Sequence, residues 1–94
     1  MSIDWLGQAR KREDVLVRPL GAESVLLNLN TESYFGLDEV GTRMWEALLG
    51  ESSIEAAYRN LSDEFEVAPE QLRQDLSGLV AALVDAGLIE IHRA

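Results

Sequence analysis

Between Val15 and Leu37 apolar residues recur at short, strand-like intervals, and from Val40 onward they recur every three or four residues. The switch marks a sheet followed by helices. Val15-Leu16-Val17-Arg18-Pro19 is rich in β-branched residues and runs into a proline, which suits a strand whose end lies near a sheet edge. Gly21-Ala22-Glu23 supplies a turn. In the next stretch Val25, Leu27 and Leu29 alternate with Ser24, Leu26 and Asn28, the pattern of a half-buried strand. Asn30-Thr31-Glu32-Ser33 is polar and turn-prone, so Tyr34-Phe35-Gly36-Leu37 folds back antiparallel as a third strand. Asp38 follows at once as a helix cap, which limits this strand to about four or five residues.

Three helices follow. Val40, Met44, Trp45 and Leu48 line the inward face of the first, and Gly50 is its expected C-terminal cap. Ser52-Ser53-Ile54-Glu55 has the spacing of a capping box, with Ile54, Ala57, Tyr58 and Leu61 at i, i+3, i+4 and i+7. Pro69 fits the first position of the third helix, after a weak cap at Ala68, and Leu72, Leu76, Leu79, Val80 and Leu83 form its inward stripe. Gly87 ends it, and Leu88-Ile89-Glu90-Ile91 reads as a short terminal strand. Met1 to Asp14 shows no sustained period and reads as a flexible arm, and residues 92–94 form a tail. The expected architecture is α+β and winged helix-turn-helix-like: a three-stranded antiparallel sheet, three helices and a short C-terminal strand in one domain over residues 15–91.

Composition narrows the function by exclusion. A chain of 94 residues with 47% hydrophobic content suits one small core. There is no cysteine, which removes disulfides, thiolate metal sites and cysteine nucleophiles and is compatible with a reducing cytoplasm. No basic leader with a long apolar stretch and no membrane-length apolar window occurs, so a cytoplasmic protein is expected. Seventeen acidic against eight basic side chains give a formal charge of −9, a field that repels nucleic acid and anionic membrane. Arg10-Lys11-Arg12 is the local exception, and three charges read as a solvated arm.

A winged helix-turn-helix arrangement raises DNA binding, but the third helix offers Arg73 among Glu70, Asp75 and Asp85, with Gln71 and Gln74, a poor footprint for phosphate. His92 is the only histidine and sits near the terminus, where a metal site cannot be assembled around it. Asp38/Glu39 and Asp63/Glu64 fit helix ends, and no phosphate loop or serine elbow is present. No cofactor is expected, and a non-catalytic binding role is left. Its mechanism is the short third strand: an open edge can receive an extended peptide as one more strand. The flank Gln74, Ser77, Gly78, Ala81, Ala82 and Asp85 of the third helix is low in bulk and offers a second wall; the same residues equally suit close helix packing. Self-pairing through the edge, giving a homodimer, is the other assembly alternative.

The run LLNLNTESYFGLDEVGTRMWEALL, with Ser53-Ile54-Glu55 and the late LVAALVDAGLI, resembles the PqqD-like family, whose members are also called RiPP recognition elements. The likeness covers about Val15 to Ile91 and rests on order and spacing, since none of these pieces is a catalytic signature. It implies a protein that binds the leader of a ribosomally made precursor peptide by strand addition and presents it to a modifying enzyme such as a radical SAM enzyme, a cyclase or a leader peptidase, in RiPP or pyrroloquinoline quinone biosynthesis. Carried onto this chain, the edge is Ser33, Tyr34, Phe35, Gly36 and Leu37, with main-chain pairing by Tyr34, Phe35 and Gly36. Arg73, Gln74, Ser77 and Ala81 are the implied side-chain neighbours on the facing helix. The weak cap Ala68 and the unassigned arm depart from the family pattern.

Overall fold

The computed structural model describes residues 3–93, and Met1, Ser2 and Ala94, the ends of the expected arm and tail, lie outside them. The elements run β1 (Gln8–Lys11), β2 (Val15–Leu20), β3 (Glu23–Asn28), β4 (Ser33–Leu37), α1 (Glu39–Gly50), α2 (Ile54–Glu64), α3 (Pro69–Asp85) and β5 (Ile89–His92). β2, β3 and β4 form an antiparallel meander, and β1 pairs with β5 in a separate antiparallel ladder. This is the expected α+β arrangement with one addition at the start.

The inner face of the meander and the three helices enclose a core that includes Leu26, Leu37, Met44, Trp45, Leu48, Ile54, Leu61, Leu76 and Leu83. Period two along β3 is observed, but its apolar-rich side faces out. Ser24, Leu26 and Asn28 are buried, Val25 and Leu27 are half-buried on the outer face, and Leu29 lies exposed beyond the strand. Two polar residues can occupy the core side because each is satisfied there. The Ser24 hydroxyl is 2.8 Å from that of Thr42 on α1. The Asn28 amide donates to the Ala86 carbonyl at 3.1 Å, and its own carbonyl accepts from the N–H groups of Asn30 at 3.0 Å and Thr31 at 3.3 Å. Asn28 thereby ties the β3–β4 turn to the end of α3.

Two helix ends follow the expected chemistry, and other positions depart from it. Asp38 caps α1 by accepting from Gly41 N–H at 2.7 Å. At the end of α3, Leu88 donates to Leu83 and Gly87 to Val84, the paired bonds of a Schellman motif, and Gly87 takes the left-handed φ of 72° that it requires. Gly50, by contrast, is the last helical residue of α1 rather than its cap, and Val40 is 47% exposed instead of buried. Ser53, not Ser52, caps α2, so Glu55 falls at the second helical position and closes no capping box.

The segment read as a flexible arm is bound to the domain over its described part. Gly7 and Trp5 carbonyls accept from the N–H groups of Ile54 and Glu55 at 2.9 and 2.8 Å, while Ser53 Oγ accepts from Ala56. Backbone from the N-terminal segment thus satisfies donors that the first turn of α2 leaves open. β1 then pairs from Gln8 with His92 to Lys11 with Ile89. The sequence pattern hid this strand because only Ala9 of its four residues is fully buried and its partner lies at the far end of the chain. His92, expected in the tail, is the last residue of β5 and pairs with Glu90 at 3.0 Å; that hydrogen bond, then the charge of Arg12, holds the exposed Glu90 carboxyl below its ordinary pKa. Among the described residues no helix is long and apolar enough to cross a membrane.

Candidate functional site

The three-stranded sheet has two edges that differ in chemistry. Leu29 donates its N–H to Asp14 O at 2.8 Å, on the β2 side of β3. Main-chain groups alternate along a strand, so Val25 and Leu27 also address β2, and Ser24, Leu26 and Asn28 address β4. Their cross-strand partners are Leu37, Phe35 and Ser33. These three use their main chain on β3, which leaves the N–H and C=O groups of Tyr34 and Gly36 projecting from the open edge. By the same alternation, Pro19 sits at an outward position of β2, where it offers no donor, and Arg18 is its neighbour. β4, Ser-Tyr-Phe-Gly-Leu, carries neither proline nor charge. One edge is guarded and the other is not.

Along β4 the side chains divide between two faces. Phe35 is half-buried and packs on the core from the inner face, beside buried Leu37. Tyr34 is 78% exposed on the outer face, and a methyl at Gly36 would meet nothing within 4 Å. Ser33 bonds the Thr31 hydroxyl at 2.6 Å within the turn. The five expected strand residues are therefore together on one edge, with a correction in their roles: Phe35 turns its main chain inward to β3 and only its side chain lines the groove side.

The expected helix residues fall elsewhere. The Arg73 guanidinium lies 4.1 Å from the centroid of Trp5 and 4.9 Å from that of Tyr58, and its Nη2 donates to Glu55 Oε2 at 3.2 Å. Trp5 and Tyr58 meet edge to face at 6.1 Å. Gln74 and Ser77 line a surface cleft with Trp5, Arg73 and Glu70, and Ala81 continues the same stripe four residues on. This flank of α3 faces α2 and the N-terminal segment. On the opposite flank Leu79, Ala82 and Ala86 are half-buried, and the carbonyl of Ala86 is held by Asn28, the residue paired with Ser33. The single low-bulk flank expected from spacing is thus divided: Trp5, unplaced in the sequence pattern, marks the side of Arg73, Gln74 and Ser77, and Ala82 lies on the other.

A model of the family described as coenzyme PQQ synthesis protein D (PqqD) matches residues 23–89, from the start of β3 into β5. The chain belongs to the PqqD family. Among solved structures, TbiB1 in complex with the TbiA(beta) leader peptide is 32% identical with a TM-score of 0.80, over 86% of this chain and 94% of that one. Lasso peptide synthetase B1 complexed with the leader peptide has a TM-score of 0.79 at 24% identity, over 88% of this chain and 98% of that one, which shows a shared fold. No curated protein matches. The matched PqqD region holds the open edge and all of α3 but begins after β1 and β2. Trp5, which organises one flank of α3, lies outside it.

Proposed function

We propose that this PqqD-family chain binds the leader of a ribosomally made precursor peptide as a fourth strand on β4, and holds it for a modifying enzyme without catalysing a reaction itself. The observation that carries the reading is the unguarded edge: Tyr34 and Gly36 present main-chain donors and acceptors beside the half-buried Phe35 side chain. The structural relative at 32% identity was solved with a leader peptide, which supports the same use here. In this reading the added strand pairs with Tyr34 and Gly36 and sends alternate side chains inward, between Phe35 and the Leu79–Ala82–Ala86 flank of α3. The enzyme served is of the radical SAM, cyclase or leader-peptidase type, and the place of action is the cytoplasm, where precursor peptides are made.

The test is an amide-resolved NMR titration with the leader half of a precursor encoded beside this gene. Saturable shifts at Ser33–Leu37 and along Leu79–Ala86 are the expected result. No shifts at excess peptide, or shifts confined to Arg73, Gln74 and Ser77, would reject the groove.

Arg73 is assigned to stability instead of peptide contact. Arg73→Ala removes two ring contacts and a partly exposed ion pair, a loss of about 1 kcal/mol once solvent screening is discounted. Its thermal midpoint falls by several degrees while leader affinity stays within about two-fold of the parent. A large loss of affinity with an unchanged midpoint would return Arg73 to the site.

A further inference from the structure

The outer face of the meander is apolar where a solvent-facing sheet is normally polar. Cross-strand register aligns Leu16, Leu27 and Tyr34 in one row, with Arg18, Val25 and Gly36 in the next, and Leu20 paired with the exposed Glu23 at the far end. Leu16 is 51% and Leu20 57% exposed. Nothing in the core uses these side chains, because the inner face is supplied by the alternate residues. Arg18 stands among them, and none of the ion pairs formed by described residues includes it, although acidic side chains outnumber basic ones two to one.

We infer that this outer face is the docking surface for the enzyme that acts on the bound peptide, met by apolar side chains and a carboxylate opposite Arg18. The inference rests on the peptide-binding reading above. Tyr34 links the two surfaces: it belongs to the outer face through its side chain and to the open edge through its main chain. A protein seated on Leu16, Leu27 and Tyr34 therefore stands beside the outward side chains of a strand added to β4. Size argues against a second copy as occupant. Three strands about 4.8 Å apart and some six residues long present roughly 300 Å². A stable dimer needs about 800 Å² from each partner, and a second copy stacked on this face can take no more than the face offers. Two chains of charge −9 also repel as they approach. A different protein can continue from the face onto the edge and the peptide.

The experiment uses the full chain, a fluorescent leader peptide from the neighbouring precursor gene, and the modifying enzyme encoded with it. Two variants, Leu16→Ser/Leu20→Ser and Arg18→Glu, alter exposed side chains on β2 that touch neither the core nor the open edge. Enzyme binding is measured by interferometry with and without peptide, and peptide binding by anisotropy. The expected result is at least a ten-fold loss of enzyme affinity in both variants, with peptide affinity and thermal midpoint unchanged. Unchanged enzyme affinity in both would overturn the assignment, as would sedimentation of the parent as a dimer that Leu16→Ser/Leu20→Ser dissociates. Failure of the parent to bind peptide would reject strand addition at β4, while the enzyme titrations without peptide still decide the outer face.

Discussion

Gly36→Pro weakens leader binding by more than an order of magnitude and leaves the domain folded. The main chain of Gly36 faces away from β3, so its N–H holds no bond within the sheet, and a side chain there meets nothing within 4 Å. Proline is tolerated at such an outward edge position. It removes a donor to the incoming strand and places ring atoms where the peptide backbone must lie. One lost hydrogen bond is worth about 1 kcal/mol, and displacement of its neighbours brings the loss to about 2–3 kcal/mol, or roughly 30- to 150-fold in Kd. Gly36→Ala is the control: its methyl points to the outer face, the N–H survives, and affinity stays within about three-fold. Isothermal titration of both variants checks the pair. Equal affinity in Gly36→Pro and Gly36→Ala would mean that the peptide does not use this edge.

The largest stability effect is expected at Asn28. Asn28→Leu keeps the volume but deletes the donor to Ala86 and the acceptor for Asn30 and Thr31 in a side chain packed at the junction of the β3–β4 turn and α3. Groups stranded in this way cost about 1–3 kcal/mol each when buried; with part of the turn open to water the sum is about 2–4 kcal/mol. For a domain of this size the thermal midpoint falls by about 10–25 °C. Urea unfolding followed by circular dichroism gives the free energy directly. A loss below about 1 kcal/mol would show that the turn and α3 are held together by apolar packing alone. Because Asn28 pairs with Ser33 at the start of β4, leader affinity should fall with stability in this variant, whereas Gly36→Pro separates the two.

The PqqD-like order of strands and helices was legible because each piece has a local cause. Alternation over a few residues marks β2, β3 and β4, a side-chain oxygen at Asp38 starts α1, Pro69 opens α3, and the left-handed turn at Gly87 closes it. The open edge was legible too, since β4 is confined between a turn and a helix cap and carries no charge or proline. These are statements about neighbours in sequence, and the forces behind them act within one or two turns of chain.

What local pattern left open was direction. Period two identifies two faces of β3 but not which is the inside; Thr42 on α1 and Ala86 at the C-cap of α3 decide that Ser24 and Asn28 turn inward and that the apolar-rich side stays in water. Helical spacing likewise groups the low-bulk residues of α3 on one flank, and Trp5 decides that Arg73, Gln74 and Ser77 belong to the side facing α2. β1 and the capping of α2 by Trp5 and Gly7 were invisible for the same reason: their partners lie more than forty residues away, as the bonds to Ile54 and Glu55 and the pairing with β5 show. Elements and caps are set by contacts along the chain, whereas the inside, the edge and the working flank are set by which distant groups complete one another's hydrogen bonds and exclude water together.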